Sequence, residues 1–263
     1  MRERPILFSA SMVRAILSGH KTMTRRVIKG IPHGNHYGTD IMDWALSGCY
    51  TEKDGRHWLA VQSDVDGADT KEIFCPQGVV GDFLWVRETW KYFNWTEDGD
   101  PFIKYAADEK SILRKPSEEW SEKVVDIWSE LSLSENYNID QTAADRKWRP
   151  SIFMPRWASR TNLRITEVRV ERLHDISEED AMREGVPRNW FGTDYTEWSP
   201  DGDGYLEQYK DLPPEDEPYF CDAITAFKSL WDSINGKPRK DGVDISWAAN
   251  PFVWAISFEV IKP

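Results

Sequence analysis

The chain has 263 residues, 40% of them hydrophobic and 13% aromatic, with a formal net charge of -12, which is ample for a buried core in one large or two modest domains. No apolar run approaches the ~20 residues a membrane helix needs, and Arg2, Glu3 and Arg4 are not followed by a signal-like apolar block, so a soluble cytoplasmic protein with no membrane partner is expected. Cys49, Cys75 and Cys221 are widely spaced, and His20, His33, His36, His57 and His174 form no ligand-like cluster, so reduced thiols and neither metal nor cofactor are expected.

In chain order, residues 5–8 read as a first strand. Ser9 or Ser11 can cap a helix whose apolar face carries Met12, Val13, Ile16 and Leu17, and Gly19 stands where a left-handed residue closes it. Residues 24–27 then read as extended, so Thr24 and Arg26 share one face and Arg25 takes the other. Residues 31–46 are loop-rich with one short helix. Residues 58–62 and 72–75 read as extended, with a hairpin turn around Gly67 between them. Residues 83–87 form a strand, with Trp85 and Trp90 assigned to the core. Residues 102–105 are extended, and the charged residues 117–131 are helical. A strand over 165–173 leads to a helix that Ser177 caps, with Asp180 in the capping-box position. Residues 187–218 form a long irregular insertion, a helix covers about 222–234, and a strand over 252–261 closes the chain.

The densest chemistry lies in the segment from Gly19 to Arg26, which places Lys21, Thr22, Thr24, Arg25 and Arg26 directly after a helix. Two readings stand. In one, Lys21, Arg25 and Arg26 are solvated charges opposing the negative end of a helix dipole. In the other, the clustered cations lower the proton affinity of Lys21, whose neutral amine then serves as a base toward Thr24, while Arg25 and Arg26 bind phosphate or carboxylate. Glu184 closes the helix that Ser177 opens, where the helix dipole opposes a carboxylate, so it is either a plain exposed glutamate or a functional one.

Charge is unevenly spread. Residues 1–29 hold seven Lys and Arg against one acid, and residues 147–172 hold seven against two. A focused basic site on an acidic body favours a small anionic or nucleotide-like ligand or a short RNA region, unless these arginines pair with acids of the same chain. Within the second block, Trp148 and Trp157 alternate with Arg149, Arg156 and Arg160. They suit base stacking and phosphate contact, or equally tryptophans at the core margin with arginines packed on their faces.

Gly19-x-Lys21-x-x-Thr24-x-Arg26 after a short amphipathic helix resembles the signature of the ASCH domain, a relative of the PUA fold. The stretch 81–86, the strand and capped helix over 165–181, and the strand over 252–261 resemble further elements of that domain in the same order. The segments 148–160 and 230–236 are similar to a phage- and prophage-encoded branch of the family.

The resemblance implies an α+β fold built on a PUA-like mixed β-barrel with flanking helices. It implies a single elaborated domain over 1–263 with insertions at about 30–80, 91–147 and 187–218. Small bacterial ASCH proteins that hydrolyse N(4)-acetylcytidine use a lysine, a threonine and a glutamate, and the matching positions are Lys21, Thr24 and Glu184. The implied activity is metal-independent amide hydrolysis of an N(4)-acylated cytidine, on a nucleoside or RNA, with Arg25, Arg26, Arg149, Arg156, Trp157 and Arg160 as substrate-binding residues. Two other functions stand beside it. One is a non-catalytic module for RNA or a modified base, and the other is a phage accessory protein whose acidic surface binds a host protein.

Overall fold

The structure, a computed structural model, describes residues 1–29, 46–51, 57–61, 71–96, 100–122, 147–186, 222–237 and 242–261. Their elements are, in order, β1 (Glu3–Leu7), α1 (Ala10–Leu17), β2 (Met23–Val27), β3 (Leu46–Thr51), β4 (His57–Val61), β5 (Lys71–Phe74), β6 (Phe83–Arg87), β7 (Trp90–Trp95), β8 (Pro101–Tyr105), β9 (Ser111–Leu113), β10 (Asn162–Arg172), α2 (Glu178–Arg183), α3 (Ala223–Asn235) and β11 (Phe252–Ile261). The fold is α+β, with sheets and few helices. None of the strand orders closes into a barrel among the described residues, and no helix there is long and apolar enough to cross a membrane.

The chain divides into two compact units, each gathered from separate segments. The first takes Met1–Ser18, Asp82–Arg164 and Val260–Pro263, and the second takes Gly19–Gly81 and Ile165–Glu259.

In the first unit, β1 runs parallel to β6, with Pro5 opposite Trp85. The first residues of β10 pair antiparallel with the other edge of β6, with Leu163 opposite Leu84. A parallel pair needs a long crossover, and here 75 residues separate the end of β1 from the start of β6. β7, β8 and β9 form an antiparallel meander, so the region expected as an insertion over 91–147 begins with a small sheet. Alternating burial along β8, with Pro101, Ile103 and Tyr105 inward, is the period-two pattern of a half-buried strand. Its inward face packs with Trp90, Tyr92, Met154, Trp157 and Ala158. Trp90 and Tyr92 meet edge to face at 5.2 Å, a preferred aromatic geometry.

In the second unit, β2 pairs antiparallel with β11, with Thr24 opposite Ile256 and Arg26 opposite Trp254. The other edge of β11 carries β10. β11 is buried from Phe252 through Phe258, so it reads as a continuous apolar run, as a strand covered on both faces does. α3 starts at Asp222, whose carboxylate accepts from the Thr225 amide at 2.6 Å. Its apolar face, Ala223, Ala226, Phe227 and Trp231, packs on Leu173, Ile176, Ala181, Val186 and Val253. β3, β4 and β5 form a second antiparallel meander. Its last two strands match the expected extended stretches, and the turn expected around Gly67 lies outside the described residues, as do residues 31–45, 123–131 and 187–218.

Candidate functional site

The site lies within the second unit, where the segment after Gly19 passes the end of α2. α1, capped at Ser9 through the Met12 amide, ends at Ser18, and Gly19 follows at φ +80°, a left-handed conformation that costs glycine little. The chain then runs straight past the end of α2. Lys21 forms an isolated antiparallel bridge with Glu184, the Thr22 amide donates to the Arg183 carbonyl at 2.9 Å, and the Phe258 amide donates to the Thr22 carbonyl at 2.8 Å. Glu184 is itself the C-cap of α2, with Gly185 at φ +83° behind it.

These hydrogen bonds fix the Lys21 side chain against the helix terminus. Lys21 is fully buried and Glu184 is 4% exposed. The Lys21 Nζ donates to the Glu184 carbonyl oxygen at 2.6 Å and to the Glu184 Oε2 at 2.8 Å. The carbonyl is one of those a helix C-terminus leaves unsatisfied, so the ammonium answers both the helix dipole and the carboxylate. A carboxylate at a helix end, unexplained by helix energetics alone, is thus accounted for by its cation.

Arg25 joins the same carboxylate. Its Nη1 donates to Glu184 Oε1 at 3.2 Å, its Nε to Glu171 Oε1 at 2.8 Å, and its Nη2 to Asp180 Oδ2 at 3.0 Å. Three carboxylates from β10 and α2 therefore occupy its fork, and the guanidinium that was expected to meet substrate is instead held within the protein. Burial pushes the Lys21 amine below the ordinary lysine range; Glu184 opposes that shift, while Arg26 and Arg25 reinforce it. Burial likewise lowers Arg26.

Asp180 takes the capping position expected of it and has a further role that its spacing did not reveal. Its amide donates to Ser177 Oγ at 3.2 Å, as a capped helix requires, but its carboxylate accepts from Arg25, from Arg169 Nη2 at 2.6 Å and from Arg183 Nη1 at 3.3 Å. Burial pushes its carboxyl up, but Arg25 and Arg169 outweigh that and hold it below the usual range. The only sequence signal for this was a carboxylate in the same helical turn pattern as Glu184, four residues on.

Thr24 lies on β2 and is 3% exposed. It alternates with Arg25 as expected, and among the described residues its hydroxyl makes no hydrogen bond to Lys21 or Glu184. Of the three residues implied as catalytic, Lys21 and Glu184 are in direct contact, and Thr24 stands three residues further along the chain, on β2. No group of three or more His, Cys, Asp or Glu among the described residues is arranged to hold a metal ion.

The remaining candidates lie in the first unit. Arg160 forks onto Glu88 with bonds of 2.8 and 2.9 Å, reaches Asp108 at 2.9 Å, and lies 4.1 Å from the Tyr105 ring centroid. Burial raises Glu88 even so, against the pull of Arg160. Trp157 is in the aromatic core. Arg156 pairs with Glu3 at 2.9 Å where both are solvent-exposed, and Arg149 is exposed with its guanidinium 5.0 Å from the Tyr92 ring and 5.4 Å from that of Trp90. Arginines do pack on aromatic faces here, but the faces belong to Trp85, Trp90, Tyr92 and Tyr105 rather than to Trp148 and Trp157.

No protein-family model matches the chain, and neither a curated protein nor a solved structure matches it.

Proposed function

We propose that the chain is an ASCH-domain protein, its sheets belonging to an elaborated PUA-like barrel, that hydrolyses the exocyclic amide of an N(4)-acylated cytidine in the cytoplasm. The observation carrying this reading is the buried Lys21 amine, held on Glu184 at 2.8 Å with a guanidinium on the other oxygen of the same carboxylate. A lysine serves as a base only when neutral, and burial beside two arginines is what favours the neutral form.

In this mechanism neutral Lys21 takes the proton of Thr24, whose oxygen attacks the acyl carbon. Collapse of the tetrahedral adduct breaks the C–N bond, and the departing exocyclic nitrogen collects the proton from Lys21. Water then cleaves the acyl-threonine ester, releasing the acid and restoring the hydroxyl. Glu184 orients the amine throughout, and stabilising the developing oxyanion is the role assigned to Arg26. Catalytic hydrogen bonds commonly tighten only when substrate binds, and the Lys21 to Thr24 contact is assigned to that step.

Incubation with N(4)-acetylcytidine, following cytidine by chromatography, tests this directly. Turnover by the wild type, lost in folded Lys21→Ala and Thr24→Ala proteins, is expected; no cytidine from folded wild type refutes it. That the Lys21 amine donates to Glu184 rather than to Thr24 among the described residues favours, as a second reading, a module that holds a modified base or RNA without chemistry. That module would bind N(4)-acetylcytidine and release no product.

A further inference from the structure

In the first unit, the segment from Trp148 to Arg156 presents a surface that the Lys21 chemistry does not use. Phe153 is 67% exposed, Ile152 56% and Trp148 40%. Ile152 and Phe153 are adjacent in a 3-10 turn at Ser151–Phe153, entered from Pro150 and followed by Pro155. Fixed φ at both prolines makes this turn stiff, so the two apolar side chains are held out into water rather than waving there.

One arginine touches this turn, and others stand on the same segment. Arg87 donates from Nη1 to the Ile152 carbonyl at 3.2 Å and lies 4.6 Å from the Trp85 ring centroid, with Arg156 over the same ring at 5.8 Å. Arg149 lies over Tyr92. Among the described residues neither Arg87 nor Arg149 has a carboxylate at ion-pair distance, and residues 147–160 contain no Asp or Glu in a chain of net charge -12. Arg149 is exposed, and a guanidinium held over an aromatic ring keeps the planar fork that matches carboxylates.

We propose that this surface docks an acidic protein segment, one that carries an apolar anchor flanked by Asp or Glu. An apolar centre with an arginine rim has the anatomy of a protein interface. The aliphatic Ile152, more exposed than Trp148, gains nothing from a nucleobase face, which argues against a nucleic-acid strand. Stiffness reduces the ordering cost of binding, and the uncompensated cations select the sign of the partner. The proposal is independent of the Lys21 reading.

The test is selection of a displayed random-peptide library on the full-length protein, with counter-selection on a double variant, Ile152→Asp with Phe153→Asp. Both positions are exposed, and circular dichroism checks the fold of the variant. Peptides enriched in Asp or Glu around Leu, Phe or Trp are expected. A synthetic copy should bind at least about tenfold more weakly, a loss of about 1.4 kcal/mol, to the double variant and to Arg149→Glu, and should weaken with salt. The proposal is overturned by no enrichment, by peptides lacking acids, or by binding indifferent to these substitutions. It is equally overturned if a short uridine oligomer binds the wild type and not the double variant, or if light scattering finds a dimer that the double variant dissociates.

Discussion

Replacing Lys21 with methionine isolates the energetics of the buried amine. Methionine fills a similar volume, and Glu184 keeps Arg25 on its other oxygen, so its carboxylate is not stranded. The substitution removes two charge-assisted hydrogen bonds, each worth about 1.5–3 kcal/mol, and also removes the desolvation cost of a fully buried ammonium, which is several kcal/mol. These nearly cancel, leaving the unsatisfied Glu184 carbonyl as the main loss, about 1–3 kcal/mol near neutral pH. The diagnostic is the pH dependence. Lys21 has a folded proton affinity below its unfolded value of 10.5, so between those two the unfolded chain holds a proton that the folded chain has released. Stability of the wild type therefore rises with pH across that window, by at most about 1.4 kcal/mol per unit, and is flat on either side. The variant lacks this ramp. Urea denaturation of both proteins from neutral pH to about 10.5 should show the wild-type advantage growing as pH rises, other groups cancelling in the difference. A difference that stays constant, or shrinks with rising pH, refutes the reading of Lys21 as an amine of lowered basicity.

Two further substitutions test the scaffold. Arg160→Met leaves Glu88, 1% exposed, without its bidentate partner and should cost about 3–5 kcal/mol, read as a large fall in thermal midpoint. Gly19→Ala adds a Cβ that meets nothing within 4 Å, so the φ of +80° alone sets its cost at about 1–2 kcal/mol; a neutral result in chemical denaturation would show that the turn relaxes freely.

Local signals carried the elements that local chemistry decides. The strand expected over 252–261 is β11 to the residue, Asp222 caps α3, and Ser9, Gly19 and Ser177 act as their positions dictate. β7 was hidden because Trp90–Trp95 reads as an aromatic cluster without clear alternation, and its burial runs three residues inward before turning partial. β3 was missed because LSGCYT, with Gly48 inside it, shows no alternation, and β9 because three residues are too few to show a period. At the site, the contact of Lys21 with Glu184 was legible only as a pair of motif positions, since 163 residues separate them. The carboxylate partners of Arg25 lie 146 to 159 residues away, and no spacing rule reaches that far. Nothing local in the sequence therefore marks Arg25 and Arg160 as paired with carboxylates.

The pairing of β2 with β11 joins residues 23–27 to residues 253–257, so the backbone of the Lys21 segment takes its strand partner from a stretch 226 to 234 residues further on. Translation runs in one direction, so until β11 has been made this cationic stretch lacks that partner, and until residues 171–184 have been made it lacks the carboxylates that neutralise it. A nascent chain halted before residue 252 would carry the Lys21 motif without the strand that holds it.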